Sequence, residues 1–588
     1  MSAASQTEIL GRVLRIYAWP HRLSYAAGAG FLLLTNYLGV RIPVEIGASV
    51  DALNSGRSLG NHALAIALMG LTIIVVRALS RVLFFNPGRD IEYRIRRDLF
   101  GHLLDVQPSF YAGQNTGDIV SRASNDITVA RAFIGFGGMQ VVNTGVAVAL
   151  TGAKMLDMSV SLTLFALVPI GLGLTAMQLA IGQMFSLQRR NQVELGKLSD
   201  QVLGTFQGMA TIQSFVAEKA FEERFQSRND DWYKTALKLS VVRSLFMPLL
   251  TLSAGMGVFA ILYMGGPRAV AGGLSVGELV TFTALVSGLV PPLRGLGFLL
   301  SVVQRGLAAL DRIFELIDTP VERPEGPEGT RLPPGRGPGI ALRHLSFAYP
   351  DAPDRPVLSG LSVDIPPGSV VGLFGRTGSG RSTLLKVLAR MYNPPPGTVQ
   401  IDGVDIRELD LHAWRRQLAV VPQRPFLFSD SIANNVALDG EIRHERVEDA
   451  VRRAALESDL AMLPEGLGTV VGERGILLSG GQRQRVALAR GLYREPDLVL
   501  LDDVLSAVDH ETEQRLVESL REGSARPHPP TTLIASHRIS ALRHADKILV
   551  FDEGRIVDQG THAELCRRPG LYYDSWLLQQ DQPAPELA

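Results

Sequence analysis

The sequence predicts two successive parts: an all-α transmembrane domain of six helices, and an α/β domain of the P-loop type. The first half contains six stretches without Asp, Glu, Lys or Arg. Most of them are close to the roughly 20 residues that a helix needs to cross a bilayer. The second half contains a glycine-rich loop between an apolar, strand-like run and a helix-like run. At 588 residues, the chain is long enough for both domains.

The six charge-free stretches are the predicted transmembrane helices: residues 23–40, 58–76, 132–153, 158–188, 244–267 and 279–293. The last one is interrupted by Pro291, Pro292 and Arg294, since proline breaks the helical hydrogen-bond pattern. Arginines are concentrated in the long loop at residues 86–126. The positive-inside rule therefore predicts that the long loops, both termini and the second half of the chain are cytoplasmic.

Several polar residues lie in or just beyond these stretches, and two interpretations of them stay open. They line a cavity, or they pair with one another and extend to the membrane surface. The residues are Asn36, Arg41, Glu45, Arg77, Gln140, Asn143 and Arg294.

The overall charge gives no indication of a nucleic-acid partner. Lys and Arg together number 58, and so do Asp and Glu, so that the formal net charge is zero. A protein that binds nucleic acid usually has a basic excess. The single cysteine, Cys566, excludes an internal disulfide and a metal site built from cysteines.

The glycine-rich loop predicts phosphate binding. We call it the phosphate loop, and its members are Gly375, Arg376, Thr377, Gly378, Ser379, Gly380, Arg381, Ser382 and Thr383. Glycines let backbone N–H groups surround an anion, and the following helix adds the positive end of its dipole. The Ser382 hydroxyl would complete a Mg²⁺ site. The pattern G-x-x-x-x-G-K-[ST] is met except at its lysine, which is Arg381 here.

Further polar residues follow apolar, strand-like runs in the second half. Asp502 ends such a run, where a carboxylate can hold Mg²⁺, and Asp503 comes next, where it can polarise a water molecule. Gln423 and His537 also follow apolar runs. A second small-residue loop opens a helix at Ser479, Gly480, Gly481 and Gln482, and Tyr349 is an aromatic that can stack on a base.

The order and spacing of these residues resemble the nucleotide-binding domain of ABC transporters. The resemblance identifies residues 478–482 as the signature loop, Gln423 as the Q-loop residue and residues 506–509 as the D-loop. It identifies His537 as the switch histidine and Tyr349 as the A-loop aromatic. It implies ATP and Mg²⁺ as cofactors, with Ser382, Gln423 and Asp502 at the metal and Asp503, His537 and Arg381 in catalysis.

The resemblance extends to the first half and indicates a multidrug-type half-transporter of the exporter branch. Residues 110–111 with 116–122 resemble the first intracellular loop of that branch, 208–215 the second, and 469–475 a loop that meets the transmembrane helices. The implied fold is a six-helix transmembrane domain fused to an α/β P-loop nucleotide-binding domain with an antiparallel β subdomain and a helical subdomain. The expected boundaries are a transmembrane domain at 1–318, a Pro/Gly-rich linker at 319–337, a nucleotide-binding domain at 338–575 and a flexible tail at 576–588.

In this family two nucleotide domains meet head to tail, so the resemblance implies a second ABC half-transporter as partner. It also implies a place in the lipid bilayer of a bacterial inner membrane and a small amphipathic substrate. An importer or a lipid flippase on the same scaffold is an alternative, and so is an ATP-gated channel or regulatory subunit. Six apolar spans exclude a soluble ATPase.

Two residues depart from the family pattern in the same half-site. Arg381 replaces the lysine of the phosphate loop, and Asp503 replaces the glutamate expected after Asp502. Aspartate is one methylene shorter, so that its carboxylate falls about 1.5 Å short of the attacking water, a misplacement that can cost about 100-fold in rate. The signature loop and His537 fit the pattern. This asymmetry favours a heterodimer with one weak and one competent ATP site over a homodimer.

Overall fold

The structure is a computed structural model of the chain. It describes residues 3–321, 329–438, 442–472, 478–504, 512–513, 515–516, 518–519 and 528–580. Contacts divide the chain into two compact units: Met1–Leu104 with Thr116–Thr319, and Asp105–Asn115 with Pro320–Ala588. The transmembrane domain expected at 1–318 stays a prediction, and within that range Asp105–Asn115 groups with the second unit.

The first half of the chain is built from long helices. In order they are α1 (Ala3–Val13), α2 (Arg22–Asn54), α3 (Gly60–Asp105), α4 (Pro108–Gly113), α5 (Thr116–Ser121), α6 (Ile127–Ala132), α7 (Gly138–Met158), α8 (Val160–Gln207), α9 (Met209–Ser214), α10 (Glu218–Val270) and α11 (Val276–Ile317). Short π-helical turns at Arg122–Asp126 and Phe133–Gly137 join α5, α6 and α7, so that the chain is helical from Thr116 to Met158.

Among the described residues, four helical stretches are long and apolar enough to cross a bilayer: Thr7–Asn54, Gly60–Asp105, Thr116–Met158 and Val276–Ile317. The helix Val160–Gly173 is apolar but shorter. The predicted spans at 158–188 and 244–267 fall on α8 and α10, where several side chains lie outside the described set. Four of the six predicted spans therefore meet these criteria.

The helix α11 runs without a break through Pro291 and Pro292, so the interruption expected there is wrong. Proline removes a backbone hydrogen bond from a helix interior, which isolated helices tolerate poorly. Packing offsets that loss in this helix, because Leu289 before the prolines and Leu299 after them are both buried. Neighbouring helices can hold a proline-containing membrane helix together in this way.

The second unit contains two sheets and a group of shorter helices. Its strands are β1 (Ile340–Phe347), β2 (Leu358–Ile365), β3 (Val370–Gly375), β4 (Val399–Ile401), β5 (Val404–Asp405), β6 (Leu418–Val421), β7 (Leu498–Asp502), β8 (Thr531–Ser536), β9 (Lys547–Asp552) and β10 (Arg555–Gly560). Its helices are α12 (Arg381–Leu388), α13 (Leu411–Arg416), α14 (Ile432–Val436), α15 (His444–Arg453), α16 (Glu457–Ala461), α17 (Gly480–Tyr493), and two near the C-terminus, His562–Leu565 and Leu571–Gln580.

The larger sheet places the ends of several strands at one edge. Its order is β10-β9-β3-β8-β7-β6, and all neighbours are parallel except β10 and β9. β8 is buried along its whole length, as expected of a parallel strand covered on both faces. Parallel strands end at the same edge of a sheet, where α/β proteins bind their ligands. The phosphate loop, Asp502, His537 and Gln423 follow or end β3, β7, β8 and β6 respectively, so they meet at this edge.

The smaller sheet is antiparallel, in the order β2-β1-β4-β5. Its core side chains pack together with one face of the larger sheet, and the helices α14, α15 and α17 pack against the other face. These two parts are an antiparallel β region and a helical region, as the sequence predicts for the second domain.

The expected Pro/Gly-rich linker and the expected flexible tail both contain residues with described contacts or secondary structure. In the expected linker, Gly335 N donates to Asp497 Oδ1 at 3.0 Å, and Gln417 Nε2 donates to the Leu332 carbonyl at 3.0 Å. Residues 322–328 of the linker lie outside the described residues. The expected tail begins inside the helix Leu571–Gln580, so residues 576–580 are helical, which corrects the prediction of flexibility there.

Candidate functional site

The phosphate loop has a backbone that only glycine allows at its turning points. Gly378 and Gly380 have φ values of +84° and +100°, in the left-handed region that L side chains rarely adopt. A Cβ at Gly375 would collide with the carbonyl oxygen of Phe551, and one at Gly380 would lie 2.7 Å from Leu358 Cδ2. The loop therefore keeps its backbone open toward the start of α12.

Two buried polar atoms of this loop have no hydrogen-bond partner among the described residues: Ser379 Oγ and Arg381 Nη1. Buried polar atoms in folded proteins are nearly always hydrogen-bonded, so each such exception needs an explanation. A phosphate oxygen accepts hydrogen bonds from both a hydroxyl and a guanidinium. The two atoms are thus donors that a phosphate group would satisfy.

The Arg381 guanidinium is mostly enclosed by protein. Burial lowers its pKa, and the negative charges of Asp503 and Asp502 oppose that change. An arginine stays protonated in proteins, so this side chain carries its positive charge into the centre of the site.

Ser382 and Asp502 form a pair of oxygen donors beside the loop. Ser382 Oγ donates to Asp502 Oδ1 at 2.7 Å. Burial raises the pKa of Asp502, while the bond from Ser382 and the charge of Arg381 act against that rise. Among the described residues, no three or more His, Cys, Asp or Glu side chains group into a metal site. Mg²⁺ needs no such cage, since it is commonly held by one or two protein oxygens together with substrate phosphates.

Asp503 connects two other predicted site residues. Its Oδ1 lies 3.0 Å from His537 Nδ1, and Gln423 Nε2 donates to its Oδ2 at 3.2 Å. Its backbone has φ of +51°, and its N–H donates to the Ala535 carbonyl at 2.8 Å. The structure thus brings Gln423, Asp503 and His537 together, with the amide nitrogen of the predicted metal ligand Gln423 on the carboxylate of Asp503.

Tyr349 lies beside the first turn of α12. Its hydroxyl is 3.0 Å from Thr383 Oγ1, and Lys386 Nζ is 5.8 Å from the centroid of its ring. The ring makes edge contacts with Phe347 and Tyr392, at centroid distances of 5.4 Å and 5.0 Å. The aromatic predicted to contact a base is therefore fixed next to the phosphate loop.

The signature loop, residues 478–482, forms the capped N-terminus of α17. Ser479 Oγ accepts from Gln482 N at 3.2 Å, and Gln482 Oε1 accepts from Ser479 N at 2.9 Å. Gln482 Nε2 donates to Asp459 Oδ1 at 3.0 Å. Ser479 and Gly480 are exposed. None of the described hydrogen bonds of these residues reaches the phosphate loop, so the two loops are not joined within one chain by these contacts.

One predicted piece has no described residue, and another is described only in part. Residues 506–509, the expected D-loop, lie outside the described residues, and so do residues 473–475 of the stretch 469–475.

The C-terminal helix supplies a contact that sequence reasoning missed. Gln579 Oε1 accepts from Ile539 N at 2.9 Å, and Gln579 Nε2 donates to the His537 carbonyl at 3.0 Å. In the same helix, the Tyr572 ring packs edge-on against Phe374 of β3 with centroids 5.0 Å apart. A glutamine in a polar C-terminal stretch carries no sequence signal for this position. The helix therefore touches the strand before the phosphate loop and the segment that carries His537.

The first unit contains a cavity of ≈ 520 Å³ between α2, α3, α7 and α11. Asn36, Arg77, Gln140 and Asn143 line it, as one of the two interpretations of the polar residues expects. Asn36 Nδ2 also donates to Asn143 Oδ1 at 3.1 Å.

The other interpretation, pairing, holds for Arg41 and Glu45. Arg41 Nη2 lies 3.6 Å from Glu45 Oε1, and His62 Nδ1 lies 3.0 Å from Glu45 Oε2. The side chain of Arg294 lies outside the described set.

Comparison with known families decides what kind of protein carries this site. The model of the ABC transporter transmembrane region matches residues 23–293, and the ABC transporter model matches residues 358–506. The chain belongs to the ABC transporter family. With one transmembrane domain and one nucleotide domain, it is a half-transporter of the exporter type, and it hydrolyses ATP in a manner coupled to transport.

Curated relatives match this half-transporter over nearly its full length. It is 33% identical to the probable multidrug resistance ABC transporter ATP-binding/permease protein YheI of Bacillus subtilis, over 97% of this chain and 98% of the relative. It is 32% identical to the multidrug resistance-like ATP-binding protein MdlA of Escherichia coli, over 95% of each. It is 33% identical to the ATP-dependent lipid A-core flippase of Pseudomonas fluorescens, over 91% of this chain and 84% of the flippase.

A solved structure agrees with the fold of this ABC transporter. A bacterial Atm1-family ABC exporter with ATP bound superposes with a TM-score of 0.79 at 28% sequence identity, over 97% of this chain and 100% of the exporter. The chain therefore has the fold of Atm1-family exporters.

Proposed function

We propose that this chain is one half of an ATP-driven exporter in a bacterial inner membrane, with six transmembrane helices and with the nucleotide domain and both termini in the cytoplasm. Two relatives are named as multidrug resistance proteins, and the matching structure is that of an exporter, and both support export. The arginines of the loop at 86–126 support a cytoplasmic position for that loop and for the second unit.

We infer that the working ATP site needs a second half-transporter. The phosphate loop holds donors without described partners, and the signature loop is a capped helix N-terminus at which Ser479 and Gly480 are exposed. In a head-to-tail pair, the signature loop of one chain faces the phosphate loop of the other. Nucleotide then lies between two chains, which makes pairing dependent on ATP.

The observation that carries the rest of the proposal is the position of Asp503. An aspartate stands where the family has a catalytic glutamate, and its two carboxylate oxygens contact His537 and Gln423. A carboxylate that is shorter and engaged by two neighbours is poorly placed to take a proton from an attacking water. We therefore infer that the half-site with Arg381 and Asp503 binds ATP but hydrolyses it slowly.

The remaining residues of the site have roles that follow from their chemistry. The N–H groups of the phosphate loop and the Arg381 guanidinium bind the phosphates of the substrate ATP. Ser382 and Asp502 would hold Mg²⁺, which when bound neutralises charge on those phosphates. We assign His537, beside Asp503, as a hydrogen-bond donor to a phosphate oxygen, and Tyr349 as the aromatic that would stack on the base.

The intact signature loop completes the proposal of a heterodimer. Its Ser479, Gly480, Gly481 and Gln482 fit the family pattern, so this chain can serve the phosphate loop of a partner that retains lysine and glutamate. Hydrolysis at that second site would drive the cycle, while the site of this chain keeps the two domains together. A homodimer would instead combine two weak sites.

The proposal is tested by ATP hydrolysis of the full chain in lipid nanodiscs, alone and co-purified with a candidate half-transporter that has a glutamate after its own strand aspartate. We expect the lone chain to be about 100-fold slower than the pair, from the misplaced carboxylate. The matched control is the pair with that partner glutamate changed to glutamine, which should fall to the rate of the lone chain. Fast hydrolysis by the lone chain would refute the weak site.

Lipid transport is the second candidate function, and the names of several flippase relatives favour it. Proteoliposomes that contain a fluorescent lipid distinguish the two, because a flippase moves the lipid between leaflets when ATP is added. A multidrug exporter would leave the lipid distribution unchanged and would move soluble amphipaths instead.

A further inference from the structure

The cavity of the first unit is positively charged. Its described lining includes two arginines, Arg77 and Arg81, and no aspartate or glutamate. The two arginines lie four residues apart on α3, so their side chains project from neighbouring turns of the same helix face. The cavity of ≈ 520 Å³ thus has two guanidinium groups at one side.

The arginines farther along the same helix, apart from Arg89, are paired with acidic side chains. Arg94 Nε lies 2.7 Å from Asp90 Oδ2, and Arg96 Nη2 lies 2.8 Å from Glu92 Oε1. Arg77 and Arg81, in contrast, make no ion pair with any described acidic side chain. Both arginines follow the predicted span at 58–76 and are exposed in the single chain. Ionisable residues that line a cavity between membrane helices are usually paired or functional.

Glu45, an acidic residue of α2, is already engaged by other side chains. Glu45 contacts both Arg41, at 3.6 Å, and His62, at 3.0 Å. It is not among the residues that line the cavity. The charge of the two cavity arginines is therefore not balanced by this carboxylate.

The rest of the lining combines amide groups with apolar side chains. Asn36 Nδ2 donates to Asn143 Oδ1, which leaves Asn143 Nδ2 as a donor without a partner among the described residues. Leu32, Met139 and Leu285 also line the cavity and are buried. A ligand that suits this lining has an apolar part and a hydrogen-bond-accepting head.

We propose that the cavity binds amphipathic molecules with an anionic head, a phosphate, sulfate or carboxylate, and selects against amphipathic cations. This rests on the proposed transport function and adds the charge class of its substrate. Guanidinium groups bind such oxyanions through two parallel hydrogen bonds, and an anion would provide the charge that the two arginines lack. A cation in the same place would be repelled by both.

Binding to the purified full chain in nanodiscs of phosphatidylcholine tests this without any need for turnover. The probes are a fluorescent lauryl phosphate and a lauryl trimethylammonium compound with the same fluorophore and tail. We expect the phosphate to bind at least about tenfold more tightly than the cation, and the R77Q/R81Q variant to lose at least about tenfold in affinity for the phosphate alone. R77K/R81K should recover part of that loss.

The matched control is R41Q, which removes an exposed arginine of the same unit that is paired with Glu45 and does not line the cavity. It should bind both probes as the natural protein does. Equal affinity of the natural protein for the two probes, or unchanged phosphate binding by R77Q/R81Q, would overturn the proposal. ATP binding by each variant shows that it is folded.

Two further measurements are needed. One identifies the source of the anion, and the other distinguishes failure of the anion site from failure of the proposed transport function. In nanodiscs with added phosphatidylglycerol, this lipid competes with lauryl phosphate if the natural anion is a membrane lipid. If it does not compete, the natural anion is a free amphipath. The preference for an anion over a cation holds in both cases. If R77Q/R81Q loses phosphate binding but proteoliposomes with a partner show no ATP-driven uptake, the anion site stands and the proposed transport falls. If uptake is driven by ATP but shows no preference for the anionic probe, the proposed transport stands and the anion site falls.

Discussion

Asp503 differs from glutamate by one methylene group, and its surroundings make that difference important. The carboxylate lies between His537 and Gln423, and the backbone is held in the left-handed region at φ of +51°. Aspartate adopts that region more readily than most residues with a side chain. The residue is thus well accommodated as an aspartate, although it is short for a general base.

The first prediction concerns D503E in the assembled heterodimer. The longer side chain regains the reach of a general base but loses the fit to the left-handed backbone, and Arg381 stays in place. We expect total ATP hydrolysis to rise by no more than about twofold, because the partner site already carries most of the turnover. A rise of about tenfold or more would indicate two equivalent sites instead.

The second prediction concerns the pH dependence of Mg²⁺ at Asp502. Burial raises the pKa of this carboxyl group above that of an ordinary aspartate, which is about 3.9. A carboxyl group with a raised pKa takes up its proton at a higher pH, and the protonated form is a poor Mg²⁺ ligand. The Mg²⁺-dependent part of ATP binding should therefore weaken, as pH falls, before an ordinary aspartate would titrate.

Binding of a fluorescent ATP analogue to the full chain is measured at each pH, once with Mg²⁺ and once with EDTA. The difference between the two affinities is the Mg²⁺-dependent part of ATP binding. D502N is the control, because it should remove most of the Mg²⁺ dependence at every pH. A Mg²⁺ dependence that stays constant down to the range of an ordinary aspartate would contradict the assignment of Asp502.

At the scale of elements, the C-terminal helix Leu571–Gln580 positions the switch segment. Gln579 contacts the backbone on both sides of Arg538, at the His537 carbonyl and the Ile539 N–H. Its amide has two partners two residues apart, so it restrains the backbone that aims the His537 side chain. Neither of these hydrogen bonds of Gln579 reaches the phosphate loop, so the effect of Gln579 on hydrolysis would pass through His537.

The third prediction is that Q579A lowers the maximal rate of hydrolysis in the heterodimer by about threefold to tenfold, since each lost hydrogen bond is worth about 1 kcal/mol. The Michaelis constant for ATP should stay nearly unchanged, because the phosphate loop is intact. Q579E, which keeps one acceptor, should lie between Q579A and the natural protein.

The neighbouring Q580A is the control, because Gln580 is exposed and the described contacts give it no role at the site. Equal losses in Q579A and Q580A would point to general destabilisation of the helix. An increase in the Michaelis constant alone would also contradict a positioning role.

Some elements could be predicted from the sequence because their signal is local. The strand, glycine loop and helix around Gly380 follow from residues that are adjacent in the chain, and the apolar stretches at 23–40 and 58–76 mark α2 and α3. The unbroken α11 could not be predicted, because the packing that stabilises Pro291 comes from other helices. Gln579 could not be found, because its partners lie about forty residues earlier and meet it only after folding.

At the scale of the whole molecule, the sequence of the second half indicates which residues share a site. Asp502, Asp503, Gln423 and His537 end or follow three different strands, and the parallel order of the sheet brings them to one edge. The sequence left open whether Arg77 and Asn143 line a cavity, since these two residues belong to different helices. The orientation of those helices decides which polar residues line a cavity and which pair, as Arg41 and Glu45 do.

The described hydrogen bonds of the signature loop do not reach the phosphate loop of the same chain, and in the proposed dimer two chains supply one site. We therefore propose the dimer as the functional molecule and this chain as its unequal half. Hydrolysis would then take place mainly at the partner's phosphate loop, which this chain covers with residues 478–482.

Trapping of a photoreactive ATP analogue with vanadate in the assembled heterodimer tests that claim most directly, because vanadate traps nucleotide only at a site that has hydrolysed it. The account predicts that the trapped label is recovered on the partner chain, while label bound without hydrolysis is found on both chains. Equal amounts of vanadate-trapped label on the two chains would contradict it.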